Sequence, residues 1–206
     1  MEVILTINEH GVLENAEFDD LAGLEVDPDC EDIVDLARKT TLVIPDSVTR
    51  IGARAFYDKR WLTGVTIPGS VLSIENDAFT DCNYLETVIM GDSVTAIGAR
   101  AFAWCESLKS IRVPDKVTML KDRTFYACSS LESVALPDNV TEIGEEVFAC
   151  CCSLKSVVLP ESVKRIGYHA FSRCTSLANI TILNKMAVIS PHAFTGCGTG
   201  LAIRGG

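Results

Sequence analysis

Apolar positions in this chain recur with a period of 23 residues. Phenylalanine stands at the same place in seven consecutive periods, with no insertion or deletion between them: Phe56, Phe79, Phe102, Phe125, Phe148, Phe171 and Phe194. A fixed period of this length is typical of a solenoid, in which each unit contacts only its neighbours. The pattern therefore predicts a stack of about seven short coils.

Each period predicts two short extended segments and a turn. Residues 62–84 are an example, with the sequence LTGVTIPGSVLSIENDAFTDCNY. Val65 and Ile67 alternate with outward positions, which indicates a half-buried strand, and Pro68 ends that strand because it lacks an N–H donor. A second apolar stretch follows at residues 71–74. One coil cannot bury its apolar side alone, so we expect parallel strands of successive coils to pair about 4.8 Å apart.

The repeat L-x-x-V-x-I-P-x-S-V-x-x-I-G-x-x-A-F-x-x-C resembles the 23-residue leucine-rich repeat of the BspA-like family. The resemblance covers about residues 41–204, and at least seven positions of each repeat agree in phase. It implies an α/β repeat solenoid, a leucine-rich repeat stack of parallel short strands that is mostly β with short helical turns. Members of the family are typically bacterial cell-surface or secreted proteins, so the resemblance also implies adhesion or binding of a host protein.

Charge divides the chain into two parts. Residues 1–40 hold twelve acidic residues against Arg38 and Lys39, whereas residues 41–206 hold 16 acidic and 16 basic residues. We interpret 1–40 as an acidic N-terminal cap with a degenerate coil, and 41–206 as about seven BspA-like leucine-rich repeats. The acidic segment is either a solubilising cap or a site for a basic partner or a cation. No nucleic-acid partner is expected, because phosphate binding needs a basic face.

The cap is predicted to close one end of the stack. Val3 to Ile7 and Val12 to Phe18 predict a hairpin, and Glu31 to Arg38 predicts a short helix with acids early and bases late, as the helix dipole favours. At the other end, residues 201–204 predict a strand with an unpaired edge, which offers a route to self-association.

No apolar stretch approaches 18 residues, so we expect no membrane insertion. The first residues lack the basic start and the apolar run of a secretory signal. We therefore expect a cytoplasmic location if the chain is full length, whereas the family resemblance implies the cell surface or secretion.

Cysteine also forms a column, three residues after phenylalanine: Cys82, Cys105, Cys128, Cys151, Cys174 and Cys197. We expect buried free thiols, because a small side chain suits a tight inner turn and aligned Cβ atoms disfavour a disulfide. Cys150 and Cys152 flank the column and are expected nearer the surface. The spacing is not the CxxC type that indicates zinc.

His169 and His192 continue a column of charged residues: Arg54, Asp77, Arg100, Arg123 and Glu146. The column is either a solvated charge ladder or, around the two imidazoles and Glu146, a metal site or proton relay. The acids Asp27, Asp29, Glu31 and Asp32 lack the glycine turn and the distant glutamate of a calcium loop. No phosphate-binding glycine loop or nucleophile elbow is present. We predict no cofactor and no enzymatic activity, with a metal-dependent enzyme using His169 and His192 as the remote alternative.

Function is therefore expected on a surface that many coils build together. The outward residues of the first strand of each coil form what we call the strand face: Val43, Thr66, Ile89, Arg112, Ala135, Val158, Thr181 and Arg204. Trp61 and Tyr84 share a column beside it, and Tyr57 and Tyr126 share another, with Trp104 nearby. Tryptophan and tyrosine are common in binding hot spots. We predict a non-catalytic protein-binding scaffold that uses the strand face or the Trp61 and Tyr84 rim. The alternative is a bacterial cell-surface adhesion module that recognises host matrix or glycan.

Overall fold

The computed structural model describes residues 3–18 and 40–205, which form a parallel β-solenoid of about seven turns. The first strands of the coils lie on one side: β3 (Thr40–Val43), β5 (Leu62–Ile67), β7 (Thr87–Met90), β9 (Ser110–Arg112), β11 (Ser133–Ala135), β13 (Ser156–Leu159), β15 (Asn179–Ile182) and β17 (Ala202–Gly205). A hairpin and the two-residue strands lie on the second side: β1 (Val3–Ile7), β2 (Val12–Phe18), β4 (Arg50–Ile51), β6 (Ser73–Ile74), β8 (Ala96–Ile97), β10 (Met119–Leu120), β12 (Glu142–Ile143), β14 (Arg165–Ile166) and β16 (Val188–Ile189).

Residues that pair between neighbouring strands are 23 positions apart, which is the period of the sequence. Ile51 pairs with Ile74, which pairs with Ile97, and all three side chains are buried. On the first side, Val65 pairs with Val88 in parallel, as predicted. No described segment is a helix long and apolar enough to cross a membrane.

The phenylalanine column forms the centre of the core. Six of the seven rings are fully buried, and Phe194 is partly buried against the same core. Successive ring centroids are 4.7 to 5.6 Å apart, with interplanar angles of 4° to 19°. This spacing matches both offset aromatic stacking and the distance between paired strands. The predicted stack of aromatic rings is thus confirmed.

The side that carries the phenylalanines, which we call the turn side, is built from turns. The residues two places before and two places after the phenylalanine are left-handed in six coils, with φ between 53° and 62°. Alternate N–H groups donate to the next coil, as Phe56 N–H does to the Ala78 carbonyl at 2.8 Å and Asp58 N–H to the Thr80 carbonyl at 2.8 Å. The expected short helical turns are therefore absent from the described residues, because a helix would direct these donors to its own carbonyls.

The cysteine column completes the hydrogen bonding of the turn side. Each thiol donates to the carbonyl of a phenylalanine in the preceding coil, with Sγ to oxygen distances of 2.9 to 3.3 Å. Cysteine thus supplies a small side chain and a weak donor at one buried position. Within the described part of the chain the cysteines are free, with Cys152 exposed and Cys150 half-buried.

The predicted N-terminal hairpin is present. β1 and β2 pair antiparallel, and β2 continues the second side of the stack by pairing in parallel with β4. Gly11 has a φ of +70° in the hairpin turn, and a Cβ there would lie 2.8 Å from the Ser47 carbonyl oxygen. Leu13 and Ala16 of β2 are fully buried, so the hairpin covers the apolar edge of this side. The degenerate coil and the helix predicted at 31–38 lie outside the described residues.

The last strand of the stack, β17, pairs with β15 on one edge. Its other edge has no partner strand within 3–18 and 40–205, in agreement with the predicted unpaired edge. Self-association through this edge stays a prediction.

We predict that Phe125→Ala lowers the free energy of unfolding by about 3–5 kcal/mol, because the ring is fully buried and stacked on both sides. Phe194→Ala is the matched control, since that ring is partly buried and should lose less than half as much. Urea unfolding followed by circular dichroism measures both. Equal losses for the two variants would contradict the role of stacking in the core.

Burial makes the column thiols unreactive. It raises the pKa of Cys82 and Cys128 from the ordinary value of 9 to about 12, which lowers their thiolate fraction about a thousandfold at neutral pH. We expect iodoacetamide to label exposed Cys152 in the folded protein while Cys82 and Cys128 stay unlabelled, as read by peptide mass spectrometry. Urea-unfolded protein, in which each of these thiols should react, is the control. Labelling of Cys128 at the rate of Cys152 before unfolding would refute the buried ladder.

Candidate functional site

The strand face is continuous across neighbouring coils. Val43 pairs with Thr66 and Thr66 with Ile89, and farther along the stack Val158 pairs with Thr181. Because side chains alternate along a strand, the flanking Val65 and Ile67 point to the core, where they are 2% and 1% exposed. The structure therefore places the predicted outward column on one side of the stack, joined by strand pairing in three sections: β3–β5–β7, β9–β11 and β13–β15–β17.

Apolar side chains on this face are open to solvent. Val43, Ile89 and Val158 are 68%, 63% and 58% exposed. The column beside them carries mostly small or hydroxyl side chains, among them Thr41, Gly64, Thr87, Ser110, Ser133 and Ser156. The result is a shallow surface with β-branched apolar positions at intervals along the stack.

Several charged residues on and beside the strand face are paired with one another, whereas Arg204 at its end is exposed. Arg112 donates to Asp92 at 2.8 Å and to Asp115 at 3.1 Å. At one border Lys109 pairs with Glu86 at 3.1 Å, and Lys155 pairs with Glu132. The Lys155 ammonium lowers the pKa of Glu132 by donating to its carboxylate. The face therefore offers a partner little unpaired charge to desolvate.

Trp61 does not form the rim that its sequence position suggested. Its side chain is 6% exposed and packs within the core, next in sequence to fully buried Leu62. Its carbonyl accepts the Thr40 N–H at 2.9 Å, at the point where the register of β3 on β5 shifts. Tyr84, its column neighbour, is half-buried. Trp61 is therefore a core residue in this structure rather than a contact residue.

The exposed aromatic residues lie on the turn side instead. Trp104 and Tyr57 are 42% and 44% exposed and line one open groove of about 440 Å³. Tyr84 lines an adjoining depression that shares Arg60 and Glu106 with this groove. The sequence places these aromatic residues in separate columns and does not show that they line one groove. The turn that carries them is left-handed, and this conformation has no signature in the pattern of apolar residues.

The column that ends in His169 and His192 is a ladder of ion pairs. Arg123 donates to both oxygens of Glu146, at 2.8 and 3.2 Å, so both carboxylate oxygens are hydrogen-bonded to the guanidinium. Farther along the column, Arg100 donates to both oxygens of Asp77, at 2.6 and 3.1 Å.

The two imidazoles stack with their centroids 5.7 Å apart. Within 3–18 and 40–205 no group of three His, Cys, Asp or Glu side chains is arranged to hold a metal ion. A zinc site needs at least three protein ligands, so His169 and His192 alone do not make one. The geometry fits the interpretation of this column as a charge ladder.

Comparison with known proteins identifies the repeat. A family model described as BspA type leucine-rich repeat region matches residues 36–151 and 95–201, with six copies. Repeat solenoids of this kind are typically non-catalytic. No curated protein matches the chain.

Solved bacterial leucine-rich repeat proteins share the fold. One from Eubacterium ventriosum is 30% identical, with a TM-score of 0.69 over 77% of this chain and 43% of that one. One from T. pallidum is 22% identical, with a TM-score of 0.54 over 98% of this chain and 83% of that one. One from Bacteroides ovatus is 24% identical, with a TM-score of 0.52 over 100% of this chain and 70% of that one. The chain thus spans less than half the length of the E. ventriosum protein.

Proposed function

Because the chain belongs to the BspA-type leucine-rich repeat family, we propose that it is a non-catalytic scaffold that binds another protein through its strand face. The observation that carries the proposal is the row of exposed β-branched side chains at Val43, Ile89 and Val158, which lie at the same position of successive stacked coils. Eight strands, from β3 to β17, contribute to this row, which extends about 30 Å along the stack at the spacing of paired strands.

The energetics of the strand face favour a protein partner. Burying apolar side chains that already face water releases about 25 cal/mol for each Å² removed from solvent. Interface centres are depleted of charged residues, and on this face Arg112 is already paired with Asp92 and Asp115. Binding therefore requires little desolvation of charged groups.

Rigidity also contributes. Two of these strands are held on both sides by parallel neighbours, β5 by β3 and β7, and β15 by β13 and β17. Few backbone dihedrals need to be ordered when a partner binds, which lowers the entropic cost of association. A flat, pre-formed surface of this kind suits recognition by shape and apolar contact.

The proposal predicts that a charge on the strand face abolishes binding. Ile89→Arg and Val158→Arg should each reduce capture of the partner at least about tenfold, because an arginine buried without a partner is costly. The measurement is affinity capture from cells that contain the natural protein, followed by quantitative mass spectrometry and a binding titration with the captured protein.

Leu72→Arg is the matched control, because Leu72 is an apolar residue 54% exposed beside β6 on the second side of the coil. Each variant should keep the unfolding midpoint of the parent. A partner whose binding is lost in Leu72→Arg but kept in both strand-face variants would refute the strand face as the binding surface.

Adhesion to host matrix is the special case in which the partner is extracellular. A solid-phase assay with immobilised matrix proteins tests it with the same three variants. Matrix binding that Ile89→Arg removes and Leu72→Arg leaves intact would support adhesion through the strand face.

A further inference from the structure

A second surface, on the turn side of the stack, combines exposed aromatic rings with carboxylates. It is an open groove of about 440 Å³ that crosses three successive coils. We call it the aromatic–acidic groove and define it by six of its lining residues: Tyr57, Asp58, Arg60, Asp81, Trp104 and Glu106.

Two columns of outward side chains form the groove. The first is Asp58, Asp81 and Trp104, each two residues after a core phenylalanine and left-handed, with φ of 55°, 62° and 62°. The second is two residues farther along each coil. Its members are Arg60, Asn83 and Glu106, whose N–H groups donate to the carbonyls of Asp58, Asp81 and Trp104 at 3.1, 2.8 and 2.9 Å. Each tight turn therefore projects two side chains from one coil.

The backbone beneath the groove is rigid. The Asp81 N–H donates to the Ala103 carbonyl at 3.0 Å, and the Trp104 N–H donates to the Tyr126 carbonyl at 2.8 Å. These bonds join each coil to the next one, so the columns keep a fixed spacing. A ligand would meet a pre-formed surface, which lowers the cost of binding.

The two exposed rings are held in place by neighbours. Trp104 packs against Tyr126 in an edge-to-face contact, with centroids 5.4 Å apart and planes inclined by 70°. The neighbouring Asp81 carboxylate raises the pKa of Tyr57 because it favours the protonated hydroxyl. Trp104 and Tyr57 nevertheless keep 42% and 44% of their surface exposed.

Negative charge is in excess in the groove. Asp58, Asp81 and Glu106 face one guanidinium, that of Arg60, whose Nε lies 3.1 Å from Asp58 Oδ1. Within the described residues, neither Asp81 nor Glu106 takes part in an ion pair. The Arg60 contact shows that this surface already accepts a guanidinium at one of its carboxylates.

We propose that the aromatic–acidic groove binds an arginine side chain from a basic segment of a partner protein. A guanidinium is planar, stacks on aromatic faces and pairs with carboxylates through several donors, so it matches Trp104, Asp81 and Glu106 together. A lysine ammonium meets the charge but lacks the planar match. The chain's own residues 1–40 are strongly acidic and therefore do not supply the basic segment. This site is separate from the strand face.

The test uses the whole chain and a blocked pentapeptide that carries two arginines among glycines, with lysine and glutamine versions as matched probes. The chain holds two tryptophans, buried Trp61 and exposed Trp104, so its NMR spectrum has two indole N–H signals that a Trp104→Phe variant assigns. The arginine peptide should shift the Trp104 signal and leave that of Trp61 in place. It should bind about fivefold more tightly than the lysine peptide, and the glutamine peptide should not bind at a measurable level.

Variants test the parts of the groove separately. Trp104→Ala and Glu106→Gln should each weaken binding of the arginine peptide about fivefold. The first removes the aromatic contact and the second removes a carboxylate contact. Arg60→Gln should strengthen binding of the arginine peptide, because the Arg60 guanidinium then no longer competes for the carboxylates of the groove. Tyr168→Ala is the matched control, since this ring is 44% exposed away from the groove, and it should leave binding unchanged.

Four results would overturn the proposal. Two concern the peptides: equal binding of the arginine and glutamine peptides, and equal affinity for the arginine and lysine peptides. Two concern the variants: full binding of the arginine peptide to Trp104→Ala, and weaker binding to Arg60→Gln. Since the variants lie on exposed positions, unchanged unfolding midpoints verify that the fold is intact. The strand-face variants should bind the peptide normally, so failure here is distinct from failure of the proposed function.

Discussion

Direct stacking of coils in a single register is the constraint on which this molecule depends. Ring centroids in the phenylalanine column are 4.7 to 5.6 Å apart, close to the spacing of about 4.8 Å between paired strands. Both spacings are met at once because the repeat length never changes between Phe56 and Phe194. Since side chains alternate along a strand, one extra residue would turn Val65 outward and Thr66 inward, and the core would be lost.

The turn side shows how a tightly wound coil satisfies its polar groups. N–H donors at alternate positions reach the next coil, and the cysteine thiols donate to phenylalanine carbonyls. The left-handed conformation costs roughly 1 kcal/mol or more at each non-glycine residue, and it persists where the surroundings fix it. Here the bonds between coils fix it. Trp104 at one of these positions is 42% exposed and Asp81 at another is half-buried, so these two residues can differ in chemistry without disturbing the core.

The two candidate surfaces occupy different sides of the coil and rest on different physics. The strand face offers apolar area at Ile89 and Val158, and its central Arg112 is already paired, so a partner would gain mainly from water release. The aromatic–acidic groove offers carboxylates and exposed rings, so a partner would gain from charge and from stacking. A repeat scaffold supports both because function lies in the side chains that the stack displays rather than in the fold itself.

The sequence by itself determined the coil, its period and the inward columns, because burial of a repeated apolar pattern has one consistent solution. Alternation along the strands places Val65 and Ile67 inward and Val43 and Ile89 outward. Turn chemistry predicts the N-terminal hairpin. Tertiary structure alone decided that Trp61 is buried, that the turns are not helical, and that Arg123 pairs with Glu146. It also gathered Tyr57, Trp104 and three carboxylates into one groove. These outcomes depend on distances between columns of different coils and on the left-handed backbone of the turns. Neither property can be recognised from the pattern of residue types along the chain.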